Sequence, residues 1–388
     1  GIEVQWSTNE KTALEVAAGA AYAGARSMVT MKQVGLNVAA DPLMSLSYVG
    51  VEGGMVVVVA DDPGPWSSQT EQDTRHFAKY SNLPVFDPSS PEEAYEMVSY
   101  AFELSEEFRL PVFLRPTTRV CHASATVELG DFPGPGTASG FVKRSDWIIF
   151  PALSYRKHGE LEQKQKLISD KFSTLTFNRI IKGGKKGIAV SGISYLYAME
   201  VIKEFDLDLT VLKVGTPYPL PLRLAEEFLS AVDQVMVVEE LDPVLEEQLL
   251  IVSGGKNEIF GKMTGDMPYN GEYSFESIKN SLLKFAGVES ADLVMVDIPK
   301  LPVRPPVLCA GCPHRASFFA AKTAAKNFEK TVYCGDIGCY TLGNAAPLNT
   351  VDTCLCMGAG ITIAQGIKLA ENGAKCIAFI GDSTFFHT

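Results

Sequence analysis

Between Cys309 and Thr388 the chain holds three polar, glycine-containing turns whose residue types could bind an anion and its counter-cation. The first reads Cys309-Ala310-Gly311-Cys312-Pro313-His314 and runs into an alanine-rich amphipathic stretch, Ala316 to Phe328, whose spacing predicts a helix. The second is a short β-prone run, Thr331 to Cys334, that ends in Gly335-Asp336-Ile337-Gly338-Cys339. The third is the apolar run Lys375 to Ile380, of parallel-strand character, ending in Gly381-Asp382-Ser383. A buried strand that stops at Gly-Asp offers bare N–H groups and a carboxylate at the carboxyl edge of a sheet, where α/β folds bind ligands. A diphosphate needs such amides, and the Mg²⁺ that neutralises it needs hard oxygen ligands such as the Asp382 carboxylate. Taken alone, Gly-Asp-Ser is equally an ordinary strand-terminating turn.

The cysteines support a second reading. Cys309-x-x-Cys312 and Cys334-x4-Cys339 are two pairs separated by 21 residues, close to the spacing of a zinc ribbon or an iron–sulfur site. The second pair is wider than the usual C-x2-C, and its cysteines flank a glycine turn that already has a use.

In order along the chain, the Cys-x-Gly-Cys-Pro-His segment, Gly-Asp-Ile-Gly-Cys, the Met-Gly-x-Gly at 357–360 and Gly-Asp-Ser resemble the diphosphate-binding domain of thiamine-diphosphate-dependent 2-oxoacid:ferredoxin oxidoreductases. Within that family they are most similar to the α subunits that act on indolepyruvate. The resemblance implies cofactor contacts from Cys309, Gly311, Cys312, His314, Gly335, Asp336, Ile337, Gly338, Gly381, Asp382 and Ser383, with Asp382 also a Mg²⁺ ligand.

Thiamine diphosphate needs, besides that anchor, a carboxylate at N1′ of its aminopyrimidine ring, which promotes the tautomer able to deprotonate the thiazolium. A Glu at a strand-to-helix junction in a different domain should supply it. Glu10 sits at such a junction, nine residues before Gly19 in a run of small residues, and this spacing resembles the family's pyrimidine-binding domain. The bland alternative is a first-turn helix acid worth a fraction of a kcal/mol. Thr30 to Asn37 is similar to the family's loop beside the pyrimidine ring, with Thr30 as a cofactor contact, although Lys32 and Gln33 depart from the small residues common there. Arg119-Val120-Cys121-His122 resembles a segment whose Arg holds the substrate carboxylate; the alternative is a solvated Arg after an edge strand.

The activity so implied is oxidative decarboxylation of an aryl 2-oxoacid to the aryl-acetyl coenzyme A, with two electrons passed to ferredoxin. A smaller β subunit, ferredoxin and coenzyme A are the implied partners. The [4Fe-4S] clusters of the family are expected in a cysteine-rich domain outside this sequence, as is the Asn-bearing segment that completes the magnesium site. Two rivals remain at this point: a non-oxidative thiamine-diphosphate decarboxylase, and a metal-binding scaffold built on the cysteine pairs.

The elements that must position these residues read as an α/β multi-domain fold of parallel sheets flanked by helices. Residues 1–125 predict a pyrimidine-binding domain. It has strands at Glu3–Trp6, Ser27–Met31, Met55–Ala60 and Pro111–Leu114, and helices at Lys11–Tyr22, capped by Ser7 or Thr8, and Pro91–Phe108. Residues 126–184 loosen into a linker with a charged, solvated helix from Leu161 to Phe172. From 185 to 300 the alternation returns, with strands Gly187–Ser191, Leu209–Val214 and Val235–Glu240 and helices Ser194–Glu204 and Leu222–Ala231, resembling the carboxyl-terminal domain of transketolase-like proteins. Residues 301–388 form the diphosphate-binding domain, and both chain ends read as cut.

Composition sets outer bounds. The chain has 388 residues, 46% hydrophobic and 21% charged, enough for two or three cores. Its net charge of −12 lacks the basic face that non-specific nucleic-acid or membrane-surface binding needs. The longest apolar run, Met55 to Ala60, is far short of a membrane span. Eight cysteines clustered near glycine turns suit a reducing cytoplasm better than a disulfide framework.

Overall fold

The computed structural model describes residues 2–130, 138–288, 299–302 and 304–388. The chain divides into two compact units, Gly1–Leu293 and Val294–Thr388.

The first unit opens with α1 (Glu10–Tyr22), β1 (Ser27–Lys32), α2 (Gln33–Val38), α3 (Ala40–Val49), β2 (Met55–Ala60), α4 (Thr74–Ser81), β3 (Val85–Phe86), α5 (Pro91–Phe108), β4 (Val112–Leu114) and α6 (Thr118–His122). Its four strands pair in parallel in the order β1-β2-β4-β3. The valine run of β2 is central, with Val56, Val57 and Val59 sealed from water, as a strand covered on both faces requires. Each such side chain contributes about 1.5–3 kcal/mol of burial. Helix α5 shows how local sequence fixes an end: Ser90 accepts from Glu93 N at 3.2 Å, Pro91 starts the helix, and Glu92 and Glu93 stand in the first turn.

Next come α7 (Pro151–Phe172), β5 (Arg179–Ile181), β6 (Lys186–Ser191), α8 (Ser194–Glu204), β7 (Leu209–Val214), α9 (Leu222–Ala231), β8 (Gln234–Val238), α10 (Val244–Ser253), β9 (Glu258–Phe260) and α11 (Phe275–Ala286). The second sheet runs β5-β7-β6-β8-β9, parallel except for the antiparallel edge strand β5. The two sheets meet where Val85 N and Asp87 N, at the edge of the first, donate at 2.8 Å to Tyr218 O and Gly215 O beyond β7.

The second unit holds α12 (Pro313–Ala324), β10 (Thr331–Cys334), α13 (Ala359–Ala370), β11 (Lys375–Ala378) and α14 (Asp382–His387). β10 and β11 pair in parallel, and Phe318 of α12 is buried beneath them with Cys334. No described helix is long and apolar enough to cross a membrane.

The architecture is the expected α/β type with parallel sheets and flanking helices. Four local expectations change. Glu3–Trp6 forms no strand: these residues pair with nothing in the described sheets, and Trp6 is fully exposed. Helix α1 is capped by Asn9, whose side chain accepts from Thr12 N at 2.8 Å, and not by Ser7 or Thr8. The loop expected over 30–37 is the end of β1 followed by α2. The helix read as solvated from Leu161 begins at Pro151 and buries Leu161, Gln165, Ile168 and Phe172, one stripe at helical spacing, in the core beside the first sheet.

Candidate active site

In the first unit the sequence-derived residues gather at the start of α1 and the carboxyl end of β1. Glu10 is the first residue of α1 and half-buried. Its side chain lies against α2, so closely that a Cβ at Gly35 would stand 2.6 Å from its Cγ and 2.7 Å from its Oε1. Gly35 is therefore the residue that makes room for the carboxylate. Thr30 is exposed on β1, opposite Val58 of β2. The departures at 32 and 33 have a local explanation, because both residues hold the segment that follows β2. Lys32 Nζ donates to Ser67 O at 2.7 Å, and Gln33 Nε2 donates to Thr70 O at 3.0 Å.

Arg119, on the short helix α6, is half exposed and does not stand alone. Its Nη2 donates to Glu272 Oε2 at 2.7 Å and its Nε to Glu272 Oε1.

A buried ionic network, not foreseen from the sequence as a unit, occupies the carboxyl ends of both sheets. Asp61, Asp87 and Arg115 follow β2, β3 and β4, while Glu239 and Glu240 follow β8. Arg115 Nε donates to Asp61 Oδ2 at 2.7 Å and its Nη1 to Asp87 Oδ1 at 3.3 Å. Arg75, fully buried on α4, spans the two sheets. It bonds Asp73 Oδ2 at 2.6 Å, Glu239 Oε2 at 2.5 Å and the carbonyls of Glu240 and Asp242 at 2.7 and 2.8 Å. Glu239 in turn accepts from the first amides of α10, Leu245 N and Glu246 N, both at 2.9 Å. Burial works against ionisation of Asp73, yet the guanidinia of Arg75 and Arg115 outweigh it and hold that carboxyl well below its usual range. At Glu240 the balance is reversed: burial outweighs the bond from Tyr273 N at 2.9 Å and the pull of Arg115, and pushes it up to about 7. Burial likewise presses Lys262 down to about 8; its ammonium is enclosed by Tyr273 Oη at 2.5 Å and Pro268 O at 2.6 Å. The available signal was the charged doublets Asp61-Asp62 and Glu239-Glu240 after apolar strands, but nothing in their spacing pairs them with Arg75.

In the second unit the glycine turns converge on one buried carboxylate. Asp336 is 0% exposed; its Oδ1 accepts from Ile337 N and Gly358 N, and its Oδ2 from Gly381 N, each at 2.9 Å. It thus ties the turn after β10, the amino end of α13 and the turn after β11 into one surface. Gly335 donates to Thr353 O at 2.7 Å, and a Cβ there would meet Val351 at 2.6 Å. Gly311, Gly338 and Gly358 adopt positive φ, of 70°, 103° and 80°. Asp382 is exposed at the first position of α14, with Oδ1 accepting from Ser383 N at 2.9 Å.

His314 stands 3.1 Å through Nδ1 from Cys312 Sγ and edge-on to Tyr340. Cys309 and Cys339 are exposed, whereas Cys334 is buried in β10. Among the described residues no three His, Cys, Asp or Glu side chains gather to hold a metal ion. The cysteine-ribbon reading thus gains no geometry here.

The donor set fits the group that the sequence implied. Glycine-rich turns gathered at one face, with Asp336 holding three of their amides from behind, suit a diphosphate. An exposed carboxylate beside them suits Mg²⁺. A glycine vacated for a carboxylate at the first sheet suits a ring nitrogen partner.

The comparisons agree with this. A family model described as pyruvate flavodoxin/ferredoxin oxidoreductase, thiamine diphosphate-binding, matches residues 2–133. Another, the thiamine pyrophosphate enzyme C-terminal TPP-binding domain, matches residues 336–388. With the sheets and turns above, these matches define the class: a thiamine-diphosphate-binding protein of the α/β type. The indolepyruvate oxidoreductase subunit IorA of Methanothermobacter thermautotrophicus is 42% identical over 398 residues, covering 100% of this chain and 64% of that protein. The subunit of the same name from Archaeoglobus fulgidus is 43% identical over 399 residues, covering 99% and 63%. Along its whole length the chain is similar to those IorA subunits. It spans just under two thirds of their length. A solved 2-oxoglutarate:ferredoxin oxidoreductase from Magnetococcus marinus shares the fold, with a TM-score of 0.55 at 15% identity over 73% of this chain and 57% of that one.

Proposed function

We propose that this chain is the thiamine-diphosphate-binding part of an enzyme that oxidatively decarboxylates an aryl 2-oxoacid such as indolepyruvate. The products are an aryl-acetyl coenzyme A and reduced ferredoxin. A smaller β subunit completes the enzyme, [4Fe-4S] clusters in a further domain carry the electrons, and the setting is the cytoplasm. The observation that carries this reading is the Glu10 carboxylate laid into the space left by Gly35, in the segment matched by the oxidoreductase family model.

Thiamine diphosphate, when bound, would supply a carbon acid whose deprotonated form is a nucleophile for the 2-oxoacid carbonyl, and an electron sink for loss of carbon dioxide. The chain's own residues do the rest. Glu10 holds a proton at the ring nitrogen, with Thr30 on the neighbouring strand. In the turns at Gly335–Gly338 and Gly381–Ser383, amides other than those already bound to Thr353, Asp336 and Asp382 receive the diphosphate oxygens, with Cys309, Gly311, Cys312 and His314 lining the first turn. Asp382 offers a carboxylate oxygen to Mg²⁺, and Asp336 fixes the turns from behind. Arg119 faces the substrate carboxylate.

Glu10→Gln keeps the size and the helix contact and removes the acid. As a first-turn helix acid alone, Glu10 would be worth about 0.3–1 kcal/mol of stability and nothing in turnover. In the proposed role, dye reduction with indolepyruvate by the complete two-subunit enzyme falls by about 10² to 10⁴ with folding intact. Turnover near that of the parent would remove the reading.

A further inference from the structure

Arg119 belongs to a small assembly that reaches across the first unit. The segment between β2 and α4, residues 61–73, and the loop before α11, residues 268–273, are zipped together by two glutamates. Glu71 Oε1 accepts from Gly64 N and, at 2.8 Å, from Gly271 N. Glu272 accepts from Arg119 and also, through Oε2 at 3.0 Å, from the indole Nε1 of Trp66. Gly64, at φ +74°, lies so close to the second loop that a Cβ there would be 3.1 Å from Glu272 N. Asp62 fixes the base of the segment, accepting from Ser67 N at 2.8 Å and from Thr118 Oγ1, beside Arg119, at 2.6 Å.

The exposures within this assembly are unequal. The Glu272 side chain is 8% exposed and that of Arg119 55%, while Trp66 is 67% exposed. Glu272 therefore occupies the Nε–Nη2 side of the guanidinium from within. Nη1 donates to no described residue and lies on the end of the fork that remains for a second carboxylate. The same glutamate takes the polar tip of Trp66 inward, so the apolar faces of the indole stay outward beside the fork. A guanidinium end and an aromatic face fixed to one shared carboxylate match the two ends of an aryl 2-oxoacid.

We propose that Trp66 is the platform for the aryl group of the substrate and that Glu272 is a positioning residue that sets Arg119 and Trp66 in register. This rests on the 2-oxoacid reading above and adds to it a determinant of side-chain class. An alkyl 2-oxoacid would use the Arg119 fork and gain little from Trp66.

The test uses the complete two-subunit enzyme, loaded with thiamine diphosphate and Mg²⁺, with dye reduction on indole-3-pyruvate, phenylpyruvate and 2-oxoisovalerate. Trp66→Leu is expected to raise KM about ten-fold for the two aryl substrates, leaving kcat and the alkyl KM changed by less than about two-fold. Glu272→Ala should raise KM for all three about ten-fold, and Glu272→Gln, which keeps one acceptor oxygen, should recover most of that. Equal losses on aryl and alkyl substrates in Trp66→Leu, or no loss, would overturn the platform. Unchanged KM in Glu272→Ala would overturn the positioning role. Should the parent enzyme turn over no 2-oxoacid, the proposed function fails separately, and calorimetry with indole-3-acetate decides the platform. About ten-fold weaker binding to Trp66→Leu than to the parent supports it, and equal binding overturns it.

Discussion

At the scale of single residues, the contact between Glu10 and Gly35 separates stability from chemistry. Alanine at 35 would favour helix α2 by about 0.5–1 kcal/mol, since glycine is the poorer helix former. Its methyl would also stand 2.6 Å from Glu10 Cγ and push the carboxylate aside. A displacement of about 1 Å at a reacting group costs on the order of 10²-fold in rate. Gly35→Ala is thus expected to melt no earlier than the parent while dye reduction falls by about 10². An early melt with normal turnover would mean that the contact is only packing. Glu10 was legible in the sequence because an acid ahead of a run of small residues is a local pattern. Gly35 was not, because its need for hydrogen in place of a side chain arises only when α2 folds back onto α1.

At the scale of elements, the long helix α7 and the triple junction at Asp336 make the clearest tests. Ile168 is fully buried on the inner stripe of α7, and Ile168→Ala should cost about 2–5 kcal/mol in denaturant unfolding, as for other buried large-to-small changes. A solvated helix would lose almost nothing. Asp336→Asn would turn an amide N–H against one of three backbone donors and leave a buried donor unmet, at about 1–3 kcal/mol. Thiamine diphosphate and Mg²⁺ should then be retained more weakly, which equilibrium dialysis measures. Strands with long apolar runs, such as β2, β6 and β7, could be read directly, because burial on both faces leaves a continuous hydrophobic signature. Glu3–Trp6 misled for the opposite reason. Ile2, Val4 and Trp6 alternate as a strand would, but a strand needs an edge to pair with, and all three stay more than 80% exposed. The many charges of α7 suggest a solvated helix, yet Leu161, Gln165, Ile168 and Phe172 fall on a single face. At the candidate site, turn residues were legible, whereas Trp66 and Glu272 were not, since 206 residues separate them.

At the scale of the whole molecule, the charges between the two sheets of the first unit govern how stability responds to pH. Glu240 has an ordinary value of 4.5 and is pushed up to about 7 in the folded state. Folded chains therefore hold more protons than unfolded ones between those values. The stability this group contributes is complete below pH 4.5 and is lost as pH rises through 7, an effect on the order of 3 kcal/mol. Glu240→Gln should flatten that slope in unfolding free energies measured from pH 5 to 7.5. Lys262, at about 8 against its ordinary 10.5, acts in a separate window above pH 8 with the opposite sign, so stability rises with pH there. Removing Arg75 leaves Asp73 and Glu239 buried without their shared cation, and Arg75→Ala should cost about 3–5 kcal/mol and uncouple the melting of the two sheets. A single sharp transition in that variant would show that the other contacts between them, the Val85–Tyr218 and Asp87–Gly215 bonds included, suffice to join the sheets. The same bond has a consequence during synthesis. Arg75 leaves the ribosome 164 residues ahead of Glu239, and at usual elongation speeds the nascent chain waits roughly 8 to 33 s for that partner. Through that interval the guanidinium keeps Asp73 as its carboxylate partner while Nη1 waits for Glu239, so a chaperone that shields that end has a defined window in which to act.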